Sequence, residues 1–392
     1  MAKSRYDYII LGAGASGLML AYRMAKDAFF NDKSILILDQ QKEKGNDRTW
    51  CFWEKGQGEW DQLLAKSWAK IFFGSQAYSE HLDISPYSYK MIRSESFYKA
   101  LWDTIEKKPN ISFKLRSVLS FKETENGAEV IAAERKDVFG PIIEKTAYEG
   151  DKVFTSLSNY EAYNFQKKYP VIKQHFLGWF LKTKDDVFDD SIATFMDFTI
   201  PQKGNTRFMY VLPIDKRTAL FEYTLFSKDL LPRADYEDAI KDYLTKKGIK
   251  DYEIIEKEMG SIPMTSFKFS ELDSKHILNI GTAGGWTKAS TGYTFRNTTK
   301  KTLNLVSFLK QETDLSKFNK ISKHWYYDLL FLDVLAKHND EGADLFSSMF
   351  RRGNIETIFK FLDEESSLLE DLKIILSVPP KRFTQSLLRR MF

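Results

Sequence analysis

The sequence predicts an α/β fold of Rossmann type, carrying an inserted β-sheet and ending in a helical region. Three observations lead there. A glycine turn sits between an apolar run and a helical stretch near the start of the chain, short β-patterned segments crowd residues 170–226, and apolar helical periodicity sets in from Lys323. A length of 392 residues exceeds what one hydrophobic core usually supports, so more than one domain is expected.

Taken in order, Tyr6 to Leu11 is an apolar run, G-A-G-A-S-G follows, and Leu18 to Lys26 has helical spacing. Ser34 to Leu38 forms a second apolar run ending in Asp39. Strand, glycine turn, helix and strand open a βαβ unit. A polar loop from Gln40 to Asp47 leads into DRTWCFWE. Ser94 is placed to cap a helix over Glu95 to Ile105, and alternating stretches near 111–121 and 128–133 read as a hairpin. GWFLKT, ATFMDFT, RFMYVLP and TALFEYTLF read as strands of an inserted sheet, and after Ile280 a second glycine-rich turn precedes a helix from Tyr293 to Lys310. No internal repeat or low-complexity linker separates these parts. The domains are therefore expected to share the chain discontinuously: 1–65, 90–160 and 270–312 for nucleotide binding, 66–89 and 161–269 for a β-rich substrate domain, and 313–392 for the helical region.

Composition narrows the function. With 58 Lys plus Arg against 54 Asp plus Glu, the net charge of +4 is too small for a nucleic-acid protein, whose basic stripe must neutralise phosphates. The excess sits in the last segment, KRFTQSLLRRMF. Cys51, the single cysteine, excludes an internal disulfide, and five scattered His give no metal-ligand spacing, so a reducing cytoplasm is expected. The N-terminal segment superficially resembles a signal peptide, but Asp7 and the glycine spacing favour a buried strand and turn. No other stretch approaches the roughly 20 uninterrupted apolar residues that cross a bilayer. The 31 Phe, 19 Tyr and 8 Trp favour a site walled by flat apolar faces.

Gly12, Gly14 and Gly17 form G-x-G-x-x-G, whose missing side chains let backbone N–H groups approach a pyrophosphate at a helix N-terminus. Asp39 follows at the distance, roughly 20 residues on, where a carboxylate takes the adenosine ribose hydroxyl and disfavours the extra phosphate of NADP. The later turn with Gly281, Gly284, Gly285 and Gly292 suits FAD better than NAD, because FAD lies extended and is touched by a late segment as well. In DRTWCFWE the rings of Trp50 and Trp53 can steady a cation by about 0.5 to 2 kcal/mol each, or simply pack a core. Arg93, beside Ser94, is placed for a phosphate or a flavin ring edge, or is an ordinary surface arginine. Glu222 neighbours Phe221 and Tyr223, and a carboxyl held among apolar groups favours its neutral, proton-donating form; a solvent-facing glutamate is the alternative. In the tail, Phe383, Leu387, Leu388 and Met391 oppose Lys381, Arg382, Arg389 and Arg390, a pattern for an anionic membrane surface or for docking on the protein itself.

Together with the glycine turn, ALFEYT and KASTGYTF, the DRTWCFWE string resembles the flavin-dependent lycopene β-cyclases of carotenoid-making bacteria. The four signatures fall in that family's order across nearly the whole chain. The resemblance implies an FAD-binding fold related to aromatic hydroxylases, acting on lycopene or a monocyclic carotene from the cytoplasmic side, peripherally bound to the inner membrane. It implies an isomerisation without net redox change that needs reduced FAD, with NADPH as the usual reductant. A proton adds to the terminal double bond of a ψ end group, the next double bond attacks the cation, and proton loss leaves a β-ionone ring. The family's acidic motif places its first carboxylate on Glu222; its second acid is replaced by Tyr223. Thr282 stands where many flavoproteins carry an aspartate for the ribityl chain. FAD contacts are then expected from Gly12, Gly14, Gly17, Asp39, Arg93, Gly281, Thr282, Gly284, Gly285 and Gly292, and substrate contacts from Trp50, Trp53, Phe221, Tyr223 and Trp286. A monooxygenase or isoprenoid reductase of the same fold, or a non-catalytic carotenoid carrier, are the competing readings.

Overall fold

The computed structural model describes residues 4–137 and 140–391. Among them the strands form three sheets. In the first, Ser4–Leu11 runs parallel between Ile35–Asp39 and Ile142–Thr155; Ile111–Leu115 extends one side and Ile277–Asn279 joins the far end of Ile142–Thr155. Both faces of the central strands are covered, which explains their unbroken apolar runs. Tyr8, Ile10, Ile35 and Ile37 pack under the helices Ala15–Lys26, Ser94–Ile105 and Phe295–Leu309. Ile9, Leu11, Leu36 and Leu38 pack under Ala128, Val130 and Ala132 of the hairpin Ser117–Thr124/Gly127–Arg135.

Two expectations need correction here. Ile111–Leu115 is not an arm of the hairpin but a parallel strand of the first sheet, separated from Ser117–Thr124 by a break at Arg116. Ser94 does not cap its helix: its hydroxyl donates to the Gly45 carbonyl and accepts from the Arg48 amide, tying the DRTWCFWE loop to the helix start.

The second sheet is ordered Tyr252–Thr265, Val171–Thr183, Thr218–Ser227, Arg207–Pro213, Ile192–Asp197, Lys70–Gly74 and Ser79–Asp83, antiparallel except at the Ile192–Asp197/Lys70–Gly74 pair. Side chains alternate across it. Leu177, Trp179, Phe221, Tyr223 and Leu225 face the helix Arg233–Lys246, while Phe180, Phe208, Tyr210, Leu220 and Phe226 face the molecule's centre.

A small sheet of Thr49–Lys55, Tyr87–Arg93 and Leu64–Trp68 joins the two. The same alternation sends Trp50 and Phe52 into the core of the first sheet and Cys51 and Trp53 into that of the second. The helices Lys323–Lys337, Gly342–Arg352, Ile355–Leu362 and Leu368–Ser377 close the second core through Leu332, Phe346, Phe350, Phe359 and Ile374. Lys288 is buried there against Asp328, at 2.7 and 2.9 Å, fastening the late glycine segment to the C-terminal helices.

The tail helix Pro380–Met391 lies on the protein through Arg382, Phe383 and Arg390. Arg390 pairs with Asp333 at 2.7 Å, Arg382 with Glu341, and Phe383 stacks on Phe331. Leu387, Leu388 and Met391 stay exposed. No helix among the described residues is long and apolar enough to cross a membrane.

Candidate active site

A cavity of about 620 Å³ is walled by both large sheets. At one part of its wall are Gly12, Gly14 and Asp39. Gly12 has φ +99°, and a Cβ there would stand 2.1 Å from Ser156 Oγ; a Cβ on Gly17 would stand 2.0 Å from the Gly12 carbonyl oxygen. Only glycines allow this turn. The Asp39 carboxylate accepts from the Ala13 amide at 2.6 Å and from Lys44 at 3.1 Å, pinning the turn to the end of the neighbouring strand. Beyond the turn, Ala15–Lys26 begins without a side-chain cap, and the space a Gly14 side chain would occupy is open. The first amides of that helix therefore face the cavity with no protein acceptor, as an anion site requires. Across the cavity, Gln174 Oε1 and Thr291 Oγ1 are buried without partners, and Gly292, at φ +76°, comes so close that a Cβ would lie 2.1 Å from Gln174 Oε1. Orphaned buried acceptors and a left-handed glycine beside them fit a polar ligand pressed against this wall.

The opposite part of the wall is acidic and aromatic. Glu222 pairs across the sheet with Gly178, and Gly178 with Glu258, so the three stand in one row on the cavity face of adjacent strands. Because Gly178 has no side chain, the two carboxyl groups meet over it and share a hydrogen bond. Thr224 donates to Glu222 at 2.7 Å and Thr49 to Glu258 at 2.7 Å. Burial pushes the Glu222 carboxyl well above the ordinary carboxylate range; the charge of Glu258 adds to the shift and the Thr224 hydrogen bond opposes it. Glu258 is also raised by burial, against the pull of Thr49 and Arg93. Tyr210, opposite Glu222 on the next strand, touches Tyr293 at 3.2 Å, and Tyr293 touches Tyr89 at 3.4 Å. All three phenols are raised by burial and stay neutral. A neutral acid beside Tyr210 and Tyr293, in a cavity whose wall also carries Trp50, Tyr89 and Phe295, can deliver a proton and face the cation that results.

Residues 7–388 match the sequence model of the lycopene cyclase protein family. The chain belongs to the lycopene cyclase family. A lycopene beta-cyclase of Pseudescherichia vulneris is 24% identical over 301 residues, covering 73% of this chain and 70% of that protein. Among solved structures, a geranylgeranyl bacteriochlorophyll reductase-like protein of Thermoplasma acidophilum superposes with a TM-score of 0.63 at 12% identity, over 98% of this chain and 99% of its own. A flavoprotein/dehydrogenase of Cytophaga hutchinsonii gives 0.60 at 12% identity over 99% of both chains. A flavin-dependent brominase gives 0.56 at 12% identity, again over 99% of both. These likenesses show a shared fold.

Within this lycopene cyclase family member, Gly12, Gly14, Asp39, Gly281, Thr282, Gly292, Trp50 and Glu222 all line the one cavity, and Gly17 stands directly behind the turn. The remaining expected residues do not. Phe221 and Tyr223 flank Glu222 in sequence and so point to the other face, Phe221 against Phe188 and Tyr243, Tyr223 against Tyr236 with its hydroxyl bonded to Arg207 at 2.9 Å. Trp53 points into the second core, stacked on Phe359 at 4.9 Å with its indole N–H on the Phe359 carbonyl. Arg93 meets no open anion site: its guanidinium is taken by Glu256 and Thr49 and lies 4.0 Å over the ring of Phe180. Gly284, Gly285 and Trp286 line a second cavity, of about 330 Å³. There the glycines serve the turn, since a Cβ on Gly284 would strike the Asn279 carbonyl oxygen at 2.0 Å and Gly285 has φ +68°. Glu258, Gly178, Gln174, Tyr210 and Tyr293 are site residues the sequence reading missed. Glu258 lies in a strand of alternating charge, EIIEKEMG, and only the register across three strands brings it to Glu222.

Proposed function

We propose that this chain is a lycopene β-cyclase, an isomerase that closes ψ end groups of lycopene or a monocyclic carotene into β-ionone rings with no net redox change. The observation that carries the reading is a half-buried Glu222, its carboxyl pushed toward the neutral form, on the wall of the same cavity that the glycine turn opens into. Gly12, Gly14 and the uncapped helix amides would hold the pyrophosphate of FAD and Asp39 its adenosine ribose; Gly281, Thr282 and Gly292 would flank the rest of the cofactor. When bound and reduced, with NADPH as reductant, FAD supplies electron density that steadies a neighbouring cation.

The chain's own residues do the remainder. Glu222, kept neutral by burial, gives its proton to the terminal double bond, while Thr224 holds one carboxyl oxygen and sets the direction of the other. The rings of Tyr210 and Tyr293, beside Glu222, would face the tertiary cation, and with Trp50 and Phe295 farther along the wall would keep water from trapping it as an alcohol. Substrate this apolar is drawn from lipid. Leu368, Leu369 and Leu376, exposed by 71%, 76% and 70%, with Leu388 and Met391 beside Lys381 and Arg389, are the surface suited to lie on the cytoplasmic face of an anionic inner membrane.

The test is expression in cells that accumulate lycopene, with pigment chromatography. Ring-bearing product without stoichiometric NADPH consumption supports the reading. Oxidation of one NADPH per turnover would instead indicate a monooxygenase or reductase on this fold, and unaltered bound pigment a carrier.

A further inference from the structure

The second acid of the Glu222 strand's motif is a tyrosine turned away from the cavity, yet a second carboxyl stands beside Glu222 all the same. It arrives from two strands away. Glu222, Gly178 and Glu258 occupy one row of the sheet, and the middle position is the one place where a side chain would keep the acids apart. A Cβ on Gly178 would lie 3.1 Å from Glu258 Cγ and 2.9 Å from Leu220 Cδ1. The two acids are not dressed alike. Glu258 takes the Thr49 hydroxyl and faces the Arg93 guanidinium, which oppose the upward push of burial, so of the two acids it is the one that ionises first; Glu222 has only a neutral hydroxyl, from Thr224. Both side chains line the cavity.

We infer that Glu258 is a catalytic partner of Glu222: the pair holds a single proton, Glu222 gives it to the substrate, and Glu258 takes back the one the ring loses. The inference rests on the cyclase reading, and its bookkeeping closes. The Glu222 O–H proton bonds to the less substituted carbon of the terminal double bond and leaves a tertiary cation beside it; the next double bond supplies the electron pair of the new ring C–C bond and passes the positive charge to a ring carbon. Removal of a ring proton by the Glu258 carboxylate leaves that C–H pair as the ring double bond. Glu258, now neutral, returns the proton to the Glu222 carboxylate through the hydrogen bond between them, over the gap that Gly178 leaves. No other base or oxidant enters, and a reaction that adds and loses one proton is reset inside the sheet.

The groups facing this pair from the elements packed around it are Cys51 and Thr49 of the small sheet, Arg93 and Tyr89 of its neighbouring strand, Tyr210, Tyr293 and Glu256. The Cys51 thiol and the three phenols are all held neutral by burial, and Arg93 and Glu256 are paired with each other. Loss of activity on the alkaline side is therefore assigned to Glu222.

The experiment compares the wild type with Glu258→Gln, which keeps the volume and can still accept from Thr49. Turnover of lycopene by the FAD-loaded enzyme should fall at least about 100-fold with FAD content unchanged. Removing the Glu258 charge should also move the alkaline limb of the residual activity to lower pH, which loss of a glutamate that only packs the sheet would not do. Gly178→Ala, which leaves both acids in the sequence but wedges them apart, should show the same loss with FAD retained, and it stands in should Glu258→Gln not fold. Near-normal turnover and an unmoved alkaline limb in Glu258→Gln overturn the inference. An infrared readout separates this from failure of the cyclase reading. A protonated-carboxyl C=O band at neutral pH should be present in the wild type, absent in Glu222→Gln and displaced in Glu258→Gln. If lycopene is not cyclised but the band behaves so, the shared proton stands and the substrate is wrong; if the band is missing, the pair is wrong.

Discussion

Replacing Glu222 by glutamine removes one thing only, a proton that can be transferred. Glutamine has nearly the volume of the neutral acid, and its carbonyl can still accept the Thr224 hydroxyl that reaches Glu222 at 2.7 Å. Burial already keeps this carboxyl uncharged, so the exchange neither adds nor removes a buried charge near neutrality. The nucleotide turn, held by Asp39 and the Ala13 amide, is untouched. General-acid catalysis contributes about 10² to 10⁴-fold, equivalent to roughly 3 to 5 kcal/mol of barrier. Glu222→Gln should thus lose that much cyclisation rate while binding FAD with wild-type stoichiometry. The assay is chromatography of carotenes after incubation with reduced, FAD-loaded protein in detergent, beside a flavin absorbance measurement on the same sample. More than a tenth of wild-type rate in the variant would refute the assignment of Glu222 as the acid. Loss of flavin together with activity would show that the residue supports the fold instead.

Other outcomes follow from the same geometry. Glu222 and Glu258 both have raised pKa values in the folded state, so their stabilising contribution is complete below the ordinary carboxylate value of 4.5 and is lost as pH climbs toward the raised values. Glu222→Gln should accordingly melt with the wild type at pH 4 and at least about 2 °C above it at pH 8, by scanning fluorimetry; the reverse order would be evidence against burial of the acid. Gly17→Ala places a methyl 2.0 Å from the Gly12 carbonyl oxygen, backbone against backbone, and should cut retained FAD at least about tenfold after desalting. Changing Leu368, Leu369, Leu372 and Leu376 together to serine should abolish co-sedimentation with anionic vesicles, at roughly tenfold per leucine, while turnover of detergent-dispersed carotene persists. Unchanged vesicle binding would return the role to the tail helix.

Local chemistry made part of this molecule readable in advance. A glycine turn between an apolar strand and a helix has few other uses, and Ser4–Leu11, Ala15–Lys26 and Ile35–Asp39 follow the predicted order. Glu222 could be singled out because a carboxyl in TALFEYTLF is locally discordant. Its flanking residues were misassigned by treating chain neighbours as spatial ones; in a strand, Phe221 and Tyr223 must leave by the opposite face. Trp50 and Trp53 divide between two cores for a related reason, three residues apart on alternating faces. Glu258 lay beyond reach because its meaning depends on strand register, which no local pattern in EIIEKEMG reveals. The tail's wheel was legible, but the acids that claim Arg382 and Arg390 come from Glu341 and Asp333, set by packing of helices distant in sequence.

The cavity draws its wall from Gly12 to Thr298, and the strand behind the nucleotide turn is flanked by residues 148–155, themselves capped by Ile277–Asn279. During synthesis, the turn made first must therefore wait for three-quarters of the polypeptide before anything closes around it. On the proposed reading FAD would then load onto the finished chain, so the proportion of coloured holoprotein recovered from a cell should follow riboflavin supply after synthesis rather than during it.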